Sequence, residues 1–152
     1  NYLLADRLVE VGRLGQKSGA GYYRYDPATR TRQEDAVVTD IITATRADLG
    51  ITPRAVTAEE IVDRLTLALA NEGARILDEG IAQRASDIDV VYCHGYGFPR
   101  FRGGPMHAAE GRGLQSAVAR IEQFHQTLAP ENWILAPLLK RLASRKGTFN
   151  DV

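Results

Sequence analysis

The chain has 152 residues, 44% of them hydrophobic and 25% charged, with 19 Lys+Arg against 19 Asp+Glu. At roughly 100–150 residues per typical domain, this builds one good core with some flanking structure, and a net charge of zero supplies no field for holding nucleic acid or an anionic membrane. The longest apolar run, Trp133 to Leu139, is far short of the ~20 residues of a membrane span, and the single cysteine, Cys93, excludes an internal disulfide and fits a reducing, cytoplasmic setting.

In chain order, Leu4, Leu8 and Val11 recur at helical spacing and stop at Gly12. This reads as the last turns of a helix whose partners lie upstream, and Asn1, with no initiator Met before it, reads as a cut edge. Glycines 12, 15, 19 and 21 make a bend that leads into Tyr22-Tyr23-Arg24-Tyr25, a short extended arm. Asp26-Pro27 opens a polar connector, and a helix is predicted from about Glu34 to Leu49, with Val38, Ile41, Ile42 and Leu49 as its apolar face and Gly50 as its stop.

Thr57-Ala58-Glu59-Glu60 has the form of a capping box and predicts the start of a long helix. Its expected apolar stripe is Ile61, Leu65, Ala68, Leu69, Ile76 and Leu77, with Gly80 in the left-handed C′ position before Ile81. Ser86-Asp87-Ile88-Asp89 reads as a second helix start, and Gly95 ends that short helix. An irregular loop runs from Gly95 to Gly104, and Pro105 is placed as the first residue of the next helix. Leu114, Val118, Ile121, Phe124 and Leu128 predict another helix, and Pro137 opens a last one that Gly147 is expected to close. Five to seven helices and almost no strand make the class all-α.

Several chemical motifs fail on inspection. Gln16 separates Gly15 from Lys17, so there is no P-loop, and Arg24 and Arg100 stand where a dinucleotide fingerprint needs its third glycine. His94, His107, His125 and Cys93 lack paired metal-ligand spacing, and neighbours such as Cys93 and His94 point about 100° apart on a helix. The sequence therefore predicts no metal site and no cofactor site within the chain itself. Cys93 is expected to be a structural cysteine, and His125 a satisfied boundary histidine.

Gly12 to Tyr23 resembles the glycine-rich segment that ends the first C-terminal helical module of 3-hydroxyacyl-CoA dehydrogenases. Glu60-Ile61-Val62-Asp63-Arg64-Leu65, Asn71 to Ala82, Asp87-Ile88-Asp89, Gly95 to Pro99 and Gly103-Gly104-Pro105 resemble the second module, found in multifunctional fatty-acid β-oxidation enzymes. The resemblance implies an all-α helical bundle of the 6-phosphogluconate dehydrogenase C-terminal-domain-like type, with a short extended N-terminal arm. It also implies a division into 1–27 as the remnant of the first module, 28–56 as a connector and 57–152 as the second module.

In that family, an enoyl-CoA hydratase domain and a Rossmann domain binding NAD precede these modules, and the catalytic His and Glu sit on the Rossmann domain. The implied partners are therefore the upstream Rossmann and first helical modules, with acyl-CoA as the substrate of the parent, and the chain alone is expected to be inactive. The catalytic module carries an Asn before the Arg of its first long helix, near the reacting carbonyl, whereas Asp63 stands before Arg64 here. A carboxylate donates no amide hydrogen bond, so this copy resembles the non-catalytic partner, with no catalytic residue of its own.

The 95–105 loop has two readings. In one it is a helix-to-helix corner that fixes packing; in the other Tyr96, Phe98, Arg100 and Arg102, with Lys17 of the glycine-rich segment, touch substrate or an interface. A free-standing helical module that binds a protein partner through the Tyr arm and this loop is the competing class. RNA binding through Arg100-Phe101-Arg102-Gly103-Gly104 lacks the basic stripe that phosphate recognition demands. Exposed apolar faces on the 1–13 helix and the Tyr arm would favour a homodimer of the chain.

Overall fold

A computed structural model describes residues 2–152; Asn1, the edge read above as cut, lies outside the described residues. The chain forms two compact units, Asn1–Ala55 and Val56–Val152. Among the described residues there are seven α-helices and one two-stranded sheet, and no helix is long and apolar enough to cross a membrane.

The first unit holds α1 (Leu3–Glu10), β1 (Arg24–Tyr25), β2 (Arg32–Gln33) and α2 (Ala36–Asp48). Helix α1 stops where the glycine allows it: Gly12 takes φ +76, its N–H reaches the Val9 carbonyl, and the Arg13 N–H reaches that of Leu8. Those two bonds are a Schellman closure, and Gly50 repeats it after α2. The predicted arm is one half of a hairpin. Strands β1 and β2 pair antiparallel, Arg24 opposite Gln33, around a turn in which the Asp26 carboxylate accepts from the N–H groups of Ala28 and Thr29. Helix α2 begins at Ala36 because Asp35 caps it, accepting from the Val37 N–H at 3.1 Å. Its buried face is Val38 and Thr45, whereas Leu49, placed on that face from the sequence, is exposed.

The second unit packs α3 (Ala58–Asp78), α4 (Ala85–Gly95), α5 (Pro105–Arg112), α6 (Leu114–Thr127) and α7 (Pro137–Ser144) around one core that includes Leu67, Met106, Ile121, Leu139 and Leu142. Helix α3 starts at the predicted cap, with the Thr57 hydroxyl accepting from the Glu60 N–H, and Gly80 closes it with Ile81 as expected. Its orientation differs from the prediction. The face turned into the core carries Asp63, Leu67, Ala70, Asn71, Gly73, Ala74 and Leu77, while Ile61 and Leu65, two leading members of the predicted stripe, are 49% and 65% exposed. The reason is that α3 is apolar on two faces, and small residues on one of them let α5 approach closely: at Gly73 an added Cβ would overlap the Met106 sulfur.

Two further expectations are corrected. Helix α4 begins at Ala85, one residue before Ser86, and no side chain caps it; the first-turn Asp87 pairs instead with Arg84 at 3.0 Å. Helix α7 is closed not by Gly147 but by Lys146, which holds φ +56 while its N–H meets the Ala143 carbonyl and the Gly147 N–H meets that of Leu142. A left-handed conformation strains a residue with a Cβ, so Lys146→Gly is expected to raise stability by about 0.5–1 kcal/mol in urea unfolding. An unchanged or lowered midpoint would show that the lysine carries a compensating contact.

Candidate functional site

The α4–α5 corner is built around one carboxylate. Asp89 lies on the buried side of α4, and its two oxygens accept from the N–H groups of Met106 at 2.8 Å and His107 at 3.0 Å, in the first turn of α5. The residue before that turn, Gly104, has no side chain to cap with, so Asp89 supplies from another helix the acceptor that a local Ser or Asp would. Burial pushes the Asp89 carboxyl above its ordinary value, and the two N–H bonds pull it back only in part. Gly104 itself, at φ +111 and ψ 171, lies directly under Asp89: an added Cβ would sit 2.5 Å from the Asp89 Cγ. Pro105 then starts α5, where its missing N–H costs nothing.

Helix α3 carries two more buried polar groups toward the core. Asn71 clips the segment before α7, donating to the Ile134 carbonyl and accepting from the Ala136 N–H, both at 2.8 Å. The Arg75 guanidinium reaches the same Ile134 carbonyl. Asp63 is 2% exposed and bound bidentately by Arg112, its Oδ2 lying 3.0 Å from Nη2, while Arg120 Nε donates to that oxygen at 2.9 Å. The Arg120 guanidinium also lies 4.7 Å from the centroid of the Phe124 ring. The Asp63 carboxylate is therefore engaged by two arginines, one from α5 and one from α6.

Tyr96, Phe98, Arg100 and Arg102 share the single loop between α4 and α5, held by a 3-10 turn at Arg100–Arg102 and by Gly103 at φ +76. Tyr96 is exposed and packs on Tyr92, ring centroids 5.3 Å apart; Phe98 is half-buried; Phe101 is 86% exposed with the Arg102 guanidinium over its ring. Arg100 borders an open groove of about 430 Å³ that Cys93, His94 and His107 also line. Arg102 borders a second cavity, of about 250 Å³, beside Asp63 and Arg112.

Lys17 belongs to the first unit, exposed on the 3-10 turn Gln16–Ser18. Arg13, next to it in the same glycine-rich segment, has a structural role: its guanidinium joins the Gly21 carbonyl to the Asp35 carboxylate at 2.9 Å. Cys93 is half-buried, and the His125 ring lies within hydrogen-bond distance of the Pro130 carbonyl.

In the sequence, Asp63, Asn71 and Asp89 lie inside motifs, but none of the three is given a partner there. The missed signal was the pairing of a helix-internal Asp with a Gly-Gly-Pro turn, which leaves N–H groups that some acceptor must reach. The partners of Asp63 had no local signal at all.

A five-helix unit whose long helix carries a buried, arginine-bound aspartate and whose Gly-Gly-Pro corner is capped from a neighbouring helix is an all-α helical module. The family model "3-hydroxyacyl-CoA dehydrogenase, C-terminal domain" matches residues 61–148, and the chain belongs to that family. It is 43% identical over 144 residues to the peroxisomal bifunctional enzyme of Danio rerio and 41% identical over 145 residues to that of Homo sapiens, covering in each case 93% of this chain and 20% of the relative. The alpha subunit of the fatty acid oxidation complex of Pseudomonas putida is 34% identical over 122 residues, 78% of this chain and 16% of the relative. The chain thus spans about a fifth of the curated relatives' length. The fold is shared with the dehydrogenase part of multifunctional enzyme 1 from C. elegans, at a TM-score of 0.63 and 24% identity over 91% of this chain and 32% of that one.

Proposed function

We propose that the chain is the C-terminal part of an NAD-dependent 3-hydroxyacyl-CoA dehydrogenase of fatty-acid β-oxidation, inactive alone, which supports the catalytic module and walls part of its acyl-CoA pocket. The observation that carries this reading is the second apolar stripe of α3. Ile61, Val62 and Leu65 lie exposed on a helix whose other face already fills the core of its own unit, and an apolar stripe of that kind suits pairing with another helical module.

In this reading residues 1–27 close the first helical module, 28–56 connect, and 57–152 form the second. Tyr96, Phe98, Arg100 and Arg102, together with Lys17, face substrate or the module interface. The upstream Rossmann domain supplies the NAD site and the hydride-transfer chemistry. The compartment proposed is the cytoplasm, on the likeness to the bacterial subunit, and a fluorescent fusion that collects in peroxisomes would overturn that part.

The test is reconstitution. Joined to the region encoded upstream in its own reading frame, the chain is expected to restore reduction of NAD by a 3-hydroxyacyl-CoA that neither part supports alone. Leu65→Glu is expected to weaken the association at least about tenfold, which is ~1.4 kcal/mol. The unfolding midpoint of the separate chain should stay within about 0.5 kcal/mol, since the site is exposed. Undiminished activity of the Leu65→Glu assembly would sink the pairing. A start codon near Asn1 in the native reading frame would favour the competing interaction module.

Exposed Val9, Val11, Leu14, Tyr22 and Tyr23 in the first unit support a homodimer of the isolated chain. A clean monomer in sedimentation at high concentration would count against it.

A further inference from the structure

We infer that the cavity between α3 and α5 is a binding site for a small oxyanion, a carboxylate or phosphate group carried on an apolar body. Its walls are Val62, Leu67 and Ala109, and its charged lining is Asp63, Arg112 and Arg102. Asp63 is the one carboxylate among the described lining residues, and it is already occupied. Arg112 grips both its oxygens, and Arg120 donates to one of them from behind. Within the lining, the two guanidiniums of Arg102 and Arg112 accompany a single buried carboxylate, and the balance of charge at the cavity is positive.

Arg102 is the group left over. Its guanidinium makes no hydrogen bond or ion pair among the described residues and rests only on the Phe101 ring, 5.6 Å from the centroid. It is nonetheless held in place at its backbone. The Arg102 N–H bonds the Pro99 carbonyl at 2.9 Å, and two residues on, Gly104 is buried beneath Asp89.

A guanidinium offers more N–H donors than Arg112 spends on Asp63, so Arg112 and Arg102 can share an oxyanion between them. The fixed Arg112–Asp63 pair lowers the entropy lost on binding, because one of the two arms is already ordered. The apolar walls favour a ligand with an aliphatic body over a bare ion.

The site shares Arg102 with the loop proposed above to face substrate, and to that extent it rests on the same reading. Its test needs no dehydrogenase activity, so the two can fail separately. The 152-residue chain would be titrated with sodium hexanoate and with inorganic phosphate at constant ionic strength, following the arginine Nε–H resonances by NMR. Saturable shifts are expected at Arg102 and Arg112 and not at Arg84 or Arg141, which pair with Asp87 and Asp78 on the surface.

Arg102→Gln is expected to weaken binding at least tenfold without moving the unfolding midpoint. Arg102→Lys, which keeps the charge but not the fork, should fall between, and it serves if the Gln variant does not fold. Saturation by hexanoate, tighter than by phosphate, is the result expected; saturation by inorganic phosphate alone, a bare ion, would overturn the apolar part of the site. Shifts that are linear, or equal at all four arginines, or unchanged in Arg102→Gln, would overturn the site.

Discussion

Replacing Gly104 with alanine is expected to cost about 3–5 kcal/mol, a third or more of the stability of a typical small domain. Two costs act together. The backbone at φ +111 and ψ 171 lies in a region essentially reserved for glycine, and a residue with a Cβ held there is strained by about 1–3 kcal/mol. The added methyl would also overlap the Asp89 side chain, which is buried and has no room to retreat without leaving the N–H groups of Met106 and His107. Losing those charge-assisted bonds at a helix start adds about 1.5–3 kcal/mol.

Gly103→Ala is the control. Its φ of +76 is milder, and its Cβ would meet the His107 ring, which is exposed and can turn aside, so a loss of only about 1–2 kcal/mol is expected. Urea unfolding followed by circular dichroism measures both. A Gly104→Ala loss below about 1 kcal/mol would mean that the corner can rebuild without Asp89, and the capping role assigned to it would fall.

Asp63→Ala is expected to destabilise the second unit by about 2–4 kcal/mol. Breaking a buried ion pair by removing one partner typically costs about 3–5 kcal/mol, because the surviving charge is left without compensation. Here the survivors are Arg112 and Arg120, whose side chains are 32% and 26% exposed and regain part of their hydration by swinging outward. Asp63→Asn should cost less than Asp63→Ala, since the amide keeps the volume and one acceptor. A double-mutant cycle between Asp63 and Arg112 is expected to give a coupling above about 1 kcal/mol, large for a partly exposed pair because one end is fully enclosed. Additive single mutants would show that the aspartate acts through packing alone. Loss of the cluster would also remove the ordered arm of the proposed oxyanion site.

Acid should act on the two units through different carboxylates. The Val37 N–H, seconded by Arg13, lowers the pKa of Asp35, and hydrogen bonds from Thr29 and Ala28 lower that of Asp26. For both, the folded pKa lies below the unfolded one. Their contribution is thus present above the ordinary aspartate range and lost as pH falls through the folded pKa. Asp89 runs the other way: burial raises its folded pKa, so its contribution is full in acid and declines as pH rises through that pKa.

Much of this molecule was legible before any coordinates. The stops at Gly12, Gly50 and Gly80 and the starts at Thr57 and Pro105 lie where the sequence puts them, because caps and left-handed closures are decided within a few residues. The glycine, asparagine and aspartate motifs of the second unit were enough to reach the family. Errors came where a local signal had a rival: Lys146 took the left-handed position beside Gly147, and Ala85 opened a helix whose sequence offered Ser86 as its cap.

Only the tertiary structure decided which face of α3 turns inward. Two stripes at helical spacing were available, and periodicity ranks neither; the choice fell to the one with Gly73 and Ala74, where helices can approach closely, leaving Ile61 and Leu65 outside. It likewise decided that Asp63 meets arginines 49 and 57 residues away and that Asp89 caps a helix 17 residues downstream. Sequence determines where the chain bends and stops, since those costs are local. Which buried charge finds which partner depends on how whole helices dock, and desolvation enforces that pairing only once the core has closed around it.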